Sequence, residues 1–139
     1  MKKKFSLKWN SSKQPRKQRK HLAKAPLHIK HKFLSANLSR ELRKKYGKRN
    51  FPLRKGDTIT IKRGKFKKKQ GKVLRVNTKA QKIYIENIQV KKNDGSKADV
   101  PIKASNLQII EINMEDRKRL KSLEKKANKP EINKQEEKK

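Results

Sequence analysis

Apolar and polar residues alternate along the middle of the chain in short stretches that turn-forming residues separate. Thr58-Ile59-Thr60-Ile61 shows this alternation, and residues 72–76 and 82–86, which are also rich in β-branched residues, are predicted as two more strands. A period of two is typical of half-buried strands. Residues 77–80 lie between two of these segments as a hairpin turn, and residues 93–96 contain an Asp-Gly pair that accepts the positive φ of a tight turn.

Two later segments complete the β pattern. Residues 98–102 follow the Asp-Gly turn, and apolar and polar residues alternate over residues 107–112. Pro101 cannot donate to a ladder, so the first of these segments is expected at a sheet edge or at a strand end. Five or six short strands at this spacing predict a mainly β fold, a small barrel over residues 51–112.

Helical signals occur on the N-terminal side of the barrel. A helix is predicted from residue 34 to residue 46, because apolar residues recur there every four positions, at Leu34, Leu38, Leu42 and Tyr46. Its apolar face is expected to pack on the barrel, and Gly47 stands where a left-handed stop belongs. Pro15 is in place to begin another short helix.

The end of the chain predicts a further helix, with Asn113 as its N-cap and Asp116 in its first turn. Its apolar face is formed by Leu120, Leu123 and Ala127. Pro130 ends this helix, and residues 131–139 are expected to be disordered.

Charge divides the chain into three parts. Residues 1–50 hold 18 basic residues and one acid, residues 51–112 hold 16 and five, and residues 113–139 hold ten and six. The net charges are therefore +17, +11 and +4, and the total is +32. We predict a basic N-terminal extension, a barrel domain, and a C-terminal helix with a tail. Such an excess of like charge needs a polyanion, and nucleic acid is the commonest, because each phosphate contact releases condensed counterions.

Composition excludes several other classes of protein. Hydrophobic residues make up 30% of the chain, too few for a large core. The absence of cysteine rules out disulfide frameworks and thiolate zinc sites. No apolar run approaches the roughly 20 residues that span a bilayer, and the basic start of the chain has no apolar region of a secretory signal behind it. The sequence predicts a cytoplasmic protein without cofactor or metal.

A basic loop between two of the strands is the most informative segment. Arg54-Lys55-Gly56-Asp57 leads into a strand, and RGKFKKKQGKV at residues 63–73 places five lysines and one arginine around Phe66. Like charges at this density need phosphates nearby. Two interpretations of Phe66 remain open: it plugs the open end of the barrel, or it stacks on an unpaired base or a ribose.

This strand–loop–strand segment resembles the KOW motif of RNA-associated proteins. Further segments narrow the likeness to the large-subunit ribosomal protein twenty-four family in its archaeal and eukaryotic form, whose eukaryotic members are called twenty-six. The resemblance covers roughly residues 5–125. The matching segments are SSKQPRKQRK at 11–20, APLH at 25–28, LSRELRKKYG at 38–47, DGSK at 94–97, VPI at 100–102 and ASNL at 104–107.

The resemblance implies an SH3-like barrel that binds large-subunit ribosomal RNA (rRNA) near its 5′ region. It also implies an early part in subunit assembly, a place by the polypeptide exit tunnel, a single copy per ribosome, and neighbouring large-subunit proteins as partners. Two residues depart from the family's pattern. Lys68 stands where glycine is common, which leaves the loop backbone there open, and Gln70 stands where an acid is common, which makes the loop more positive.

The candidate RNA-binding residues form three groups. The extension, interpreted as inserting between RNA segments rather than as a solubilising tail, contributes Arg16, Lys17, Arg19, Lys20, His28, Lys30, Lys32, Arg40 and Arg43. The turn and the basic loop contribute Arg54, Lys55, Arg63, Lys65, Phe66, Lys67, Lys68, Lys69 and Lys72. The approach to the last strand contributes Lys103, Ser105 and Asn106, and the last two either bond RNA or cap a turn.

Two other features have a less specific interpretation. His28 and His31 have the spacing of a ligand pair, but the neighbouring Lys30 and Lys32 would repel a cation, so RNA contact or packing is favoured over metal binding. Trp9 either anchors the extension on RNA or on a neighbouring protein, or packs on the barrel.

Two other classes of protein share part of the pattern. A transcription elongation factor with a KOW domain usually carries a further domain, and it does not account for residues 11–49. A DNA-compacting chromatin protein shares the charge but neither the basic loop nor the extension. Catalysis has no candidate set, because the acids are few and flanked by lysines, and no Ser–His–Asp or Gly-Lys-Ser/Thr arrangement can be proposed. We predict a structural protein and not an enzyme.

Overall fold

The computed structural model describes residues 5–127, which form short strands with helices before and after them. The helices are α1 (Pro15–Lys24), α2 (Leu27–Phe33), α3 (Arg40–Tyr46) and α4 (Arg117–Ala127), and short 3-10 turns lie at Leu7–Ser11 and Ala104–Asn106. The strands are β1 (Ser35–Leu38), β2 (Asn50–Pro52), β3 (Thr58–Ile61), β4 (Gln70–Asn77), β5 (Lys82–Ile85), β6 (Gln89–Lys91), β7 (Lys97–Asp99) and β8 (Leu107–Glu111).

Six of these strands form one mixed sheet in the order β2-β1-β8-β3-β4-β5. β1 pairs with β8 in parallel, whereas the other neighbours are antiparallel. β6 and β7 form a separate hairpin, and a single bridge joins Ile83 of β5 to Ile102, which follows β7. This arrangement is compatible with the predicted small barrel-like fold.

The core lies on one face of the sheet, as the alternation in the sequence predicted. Ile59 and Ile61 of β3 and Ile109 of β8 are each at most 1% exposed. Burying an isoleucine side chain contributes about 1.5–3 kcal/mol. The strands predicted over 58–61, 72–76, 82–86 and 107–112 are confirmed as β3, β4, β5 and β8.

The helix predicted from 34 to 46 is wrong in its first third. Residues 35–38 form β1, and helix α3 begins only at Arg40. Ser39 adopts φ −59 and ψ 163, and its hydroxyl accepts a hydrogen bond from the Leu42 N–H, which makes it the N-cap. The four-residue apolar repeat led to the wrong prediction because a strand buries every second residue, here Leu34, Ala36 and Leu38. Residues four apart in such a strand are therefore apolar, as they are in a helix. Gly47 does end α3, with φ 60.

Two further boundaries differ from the sequence prediction. The strand predicted over 98–102 ends at Asp99, before Pro101 interrupts the ladder. Asn113 does not cap the last helix, because α4 begins only at Arg117 and the Asn113 side-chain oxygen accepts the N–H of Glu115, which lies before the helix. Asp116 caps α4 instead, and its side chain accepts hydrogen bonds from the N–H of Lys118 and of Arg119. Pro130 and residues 131–139 lie outside the described residues.

A buried ion pair attaches α4 to the turn that precedes β3. The two terminal nitrogens of Arg119 each lie 2.6 Å from one carboxylate oxygen of Asp57, and the two side chains are 4% and 0% exposed. Arg119 also donates to the carbonyls of Pro52 and Asn113, both at 3.1 Å. The Asp57 carboxylate accepts the Arg54 N–H at 2.9 Å, so the same group fixes the turn that leads into β3.

The three-part division of the chain at residues 50 and 112 stays a prediction. β1 and α3 lie within the proposed extension, yet β1 pairs with β8 in the main sheet. Within residues 5–127, no helix is both long enough and apolar enough to cross a membrane.

Candidate RNA interface

The basic loop joins β3 to β4 and is closed by its own backbone hydrogen bonds. Two backbone hydrogen bonds join Ile61 to the end of the loop. The Ile61 N–H donates to the Lys69 carbonyl at 2.9 Å, and the Lys68 N–H donates to the Ile61 carbonyl at 2.8 Å. The side chains of its cations point outward, since the residues of the loop other than Phe66 are exposed. The backbone thus holds a set of ammonium and guanidinium groups in solvent without carboxylate partners among the described residues.

Lys68 has φ 72, in the left-handed region that a glycine adopts without strain. This is the position at which the sequence departs from glycine. The loop therefore keeps a backbone conformation suited to glycine and places an additional ammonium group at its tip. For a side chain other than glycine this conformation costs about 1–2 kcal/mol.

Phe66 packs partly against the hydrophobic core, a contact that is compatible with the first of its two interpretations, the plug at the end of the barrel. The ring keeps part of its surface exposed, and the Lys69 ammonium lies 5.5 Å from its centroid. Whether the exposed part stacks on RNA stays open.

Phe66 forms one wall of a groove, which we call the loop groove, with a volume of about 450 Å³. Predicted site residues from two distant segments meet in it: Arg63, Lys65 and Phe66 come from the basic loop, and Lys103 and Asn106 come from the approach to β8. Lys82 of β5 is a further cation in the wall, one that the sequence analysis missed because it had no sign that this strand end faces the loop. The base of the groove is apolar, with Ile61, Val100, Pro101 and Ile102.

The charged residues that line the loop groove are all positive. Four of the residues that line it are cations, and none is acidic. An apolar base with cations on its walls suits a polyanion whose phosphates meet the walls and whose sugars or bases cover the base.

A second cleft continues from the loop groove toward the N-terminal extension. Lys82 and Lys103 line both, and the far wall of this second cleft is formed by Leu22 of α1 and Phe33 of α2. Ser105 lies in this cleft rather than in the loop groove. Helices α1 and α2 are therefore adjacent to Lys82 and Lys103 through this shared rim.

The segment before β1 buries one histidine between two aromatic rings and exposes its cations on α1. The side chain of His21 is 4% exposed and lies between the rings of Phe5 and Phe33, at centroid distances of 5.0 and 5.5 Å. The cations of the densest cluster are exposed: Arg16, Lys17, Arg19 and Lys20. Pro15 begins α1, as predicted.

Trp9 is held against α1. The Gln18 side chain donates to the Trp9 carbonyl at 3.0 Å and to the Ser12 carbonyl at 2.6 Å, and the Lys20 ammonium lies 4.9 Å from the indole ring. These contacts fix the 3-10 turn to the first helix and leave the indole half-buried.

The remaining predicted residues are placed on other parts of the surface. His28, Lys32 and Arg40 are exposed, and Lys30 is half-buried. Arg43 is partly engaged in structure, since its Nε donates to the Leu38 carbonyl at 2.9 Å. Lys72 is exposed on β4, at the register position opposite Thr58.

Arg54 and Lys55 lie apart from the loop groove, in a cleft lined also by His31. Arg54 forms an exposed ion pair with Asp116, so its charge is shared. Although partial loss of solvent acts in the opposite direction, hydrogen bonds from the Lys118 and Arg119 N–H groups and the Arg54 guanidinium hold the pKa of Asp116 below its ordinary value of 3.8. No group of three or more metal-binding side chains occurs within residues 5–127.

Comparison with known proteins gives two findings. Residues 12–126 match the model of a family described as the ribosomal proteins L26 of eukaryotes and their archaeal L24 counterparts. The chain is similar to the large ribosomal subunit protein uL24 of Nanoarchaeum equitans (strain Kin4-M), with 47% identity over 73 residues. That match covers 52% of each protein, so it spans about half the length of this relative.

Proposed function

The chain belongs to the family of eukaryotic ribosomal proteins L26 and archaeal ribosomal proteins L24, and on this premise we propose that it is a structural constituent of the large ribosomal subunit that binds rRNA. Membership makes it a ribosomal protein, part of the cytoplasmic ribosome, in a family that is structural and not enzymatic.

The loop groove is the observation that carries the RNA-binding proposal. It brings Arg63 and Lys65 of the basic loop together with Lys82 and Lys103, around an apolar base. Each cation laid on a phosphate releases condensed counterions, and this release supplies much of the affinity for nucleic acid. If about ten phosphates are contacted by the whole chain, the logarithm of the affinity should fall against the logarithm of the salt concentration with a slope of roughly −7 to −9.

The extension is proposed to insert between RNA segments beside the barrel. Its α1 cations are exposed on a short helix that is fixed to the preceding turn, and α1 shares a cleft with the barrel through Leu22. Arginine offers a planar fork for phosphates, and lysine acts as a point charge, so the mixed cluster suits irregular RNA surfaces.

The finer assignment follows from the resemblance. We propose an SH3-like barrel that contacts rRNA near its 5′ region, joins the subunit early in assembly, and lies by the polypeptide exit tunnel. Other large-subunit proteins are the proposed neighbours, at one copy per ribosome. The family match over residues 12–126 supports this assignment over an elongation factor or a DNA-compacting protein.

Sedimentation of the native protein tests the proposal. A cell lysate is treated with high salt and separated on a sucrose gradient, and the protein is quantified against rRNA in each fraction. We expect it to migrate with the large subunit at one copy per particle. Recovery with polymerase or chromatin, or loss to the top of the gradient, would overturn the proposal.

A further inference from the structure

The cleft that contains Arg54 and Lys55 lies between α2 and β4 and has a volume of about 640 Å³, within the range of small-ligand sites. We call it the β4 cleft. Its base is apolar, formed by the buried Leu53 together with Leu74 and Val76. Its rim carries His31, Arg54, Lys55 and Arg75, and none of its lining residues is acidic.

A β-bulge gives the cleft an exposed leucine. The register between β4 and β5 passes from Val73 opposite Ile85 to Arg75 opposite Tyr84, so Leu74 has no partner on β5. Successive residues of a regular strand face opposite sides, but here both Leu74 and Arg75 line the cleft. The Leu74 side chain is 42% exposed. Bulges commonly re-aim side chains at functional sites.

Arg75 is oriented by its neighbour across the strands. Its guanidinium carbon lies 4.5 Å from the centroid of the Tyr84 ring, a cation–π contact that restricts the side chain. Guanidinium planes are one of the surfaces on which proteins stack unpaired RNA bases, and extruded bases also lie between apolar side chains.

We propose that the β4 cleft binds one unpaired nucleotide of the large-subunit rRNA, an inference that rests on the proposed function. The base lies against Leu74 and Val76 beside the Arg75 guanidinium. The phosphate lies on Lys55, because Arg54 shares its charge with Asp116. A paired RNA segment keeps the faces of its bases stacked and presents phosphates, 2′-hydroxyls and base edges, which are polar and leave an exposed leucine without an apolar partner. The cationic rim in turn favours a nucleotide over an apolar protein segment.

The test compares two charge-neutral substitutions in the full chain. Leu74→Asn removes the exposed leucine from the apolar base of the cleft, and Val90→Asn removes an equally exposed apolar residue (43%) on β6, outside the cleft. Affinity for large-subunit rRNA is measured by filter binding over a range of salt concentrations, with folding checked by circular dichroism. We expect Leu74→Asn to weaken binding about five-fold or more, the loss expected for one stacked base, with an unchanged salt slope. Val90→Asn should stay within about two-fold of wild type, because no stacked base is lost.

A second variant keeps the inference testable if Leu74→Asn fails to fold. Arg75→Lys conserves the charge and removes the planar group, so affinity should again fall without a change in slope. Wild-type affinity in both cleft variants would overturn the nucleotide site. Incorporation of the cleft variants into the large subunit is measured as well. Normal binding of these variants to naked rRNA together with reduced incorporation would also overturn the nucleotide site, since that result would place a neighbouring protein in the cleft.

These outcomes separate the inference from the proposed function. If the wild-type chain binds large-subunit rRNA no better than duplex DNA of equal length, the proposed function fails, and the nucleotide site fails with it. If wild type prefers rRNA and the cleft variants match it, only the nucleotide site fails.

Discussion

Replacing Arg119 by methionine should destabilise the whole fold far more than removing an exposed cation. The substitution leaves the Asp57 carboxylate, which is 0% exposed, with two backbone donors, the N–H groups of Arg54 and Asn113. Breaking a buried pair by removing one partner costs about 3–5 kcal/mol, because the remaining charge is uncompensated. That is a large part of the roughly 5–15 kcal/mol by which an ordinary domain is stable.

Undocking of α4 would not relieve this cost cheaply. Leu123 on the same helix is 0% exposed, and the Arg119 guanidinium covers the Phe51 ring at 5.1 Å, so release of the helix exposes apolar surface. The matched control is Arg54→Met, which breaks the exposed pair with Asp116 and should cost at most about 1 kcal/mol.

The assay is urea unfolding of wild type, Arg119→Met, Arg54→Met, Asp57→Asn and the double variant Asp57→Asn/Arg119→Met, followed by circular dichroism. We expect the double variant to lose less free energy of unfolding than the two single losses combined, because it leaves no unpaired buried charge. The reasoning would be refuted by an Arg119→Met loss as small as that of Arg54→Met, or by additive losses.

Three further predictions concern the core, the loop and the helix cap. Ile61→Ala, at a site 1% exposed, should lower the free energy of unfolding by about 2–5 kcal/mol, measured by urea unfolding, and a loss below about 1 kcal/mol would contradict the assigned core. Lys68→Gly should leave the free energy of unfolding unchanged or raise it by up to about 1 kcal/mol, because φ at this position is 72 and glycine adopts that value without strain. Lys67→Gly should lower the free energy of unfolding. Equal effects of the two substitutions in thermal melts would show that the left-handed conformation is absent. Because the pKa of Asp116 is lowered in the folded protein, its carboxylate stabilises the fold above pH 3.8, and this contribution is lost as the pH falls through the folded-state pKa. The difference in stability between wild type and Asp116→Asn should therefore be present at neutral pH and disappear below pH 3.8.

The apolar pattern was sufficient to predict the central strands. A period of two is visible in the sequence of β3 and in the burial of β5 and β8, whereas β4, whose alternation the bulge at Leu74 interrupts, was recognisable by its β-branched residues. The apolar pattern was not sufficient for residues 34–46, where Leu34 and Leu38 fit a strand and a helix equally well. The strand was selected by a long-range partner, because β1 pairs in parallel with β8, and a single sequence does not contain that pairing in readable form. The Ser39 cap of α3 is a local contact three residues long, so it was a signal that the sequence analysis could have used.

The candidate site shows the same division between local and long-range information. The basic loop was visible as a run of lysines around Phe66, but the convergence of Lys82 with it depends on how the sheet curves. The Asp57–Arg119 pair was also missed, since 62 positions separate its members. One signal was available: Asp57 is an isolated acid in a strongly basic stretch.

The central claim is that cations of the basic loop neutralise rRNA phosphates, and a pair of matched triple variants tests it most directly. Lys67, Lys68 and Lys69 of the basic loop are changed to glutamine in one variant. In the other, the exposed lysines of the β6–β7 hairpin, Lys91, Lys92 and Lys97, are changed to glutamine. Binding to large-subunit rRNA is then measured against salt concentration. The account predicts that the loop variant binds more weakly and that its log–log slope is smaller by roughly 2–3, while the hairpin variant stays near wild type and both remain folded. Equal affinity and slope in the two variants would contradict it.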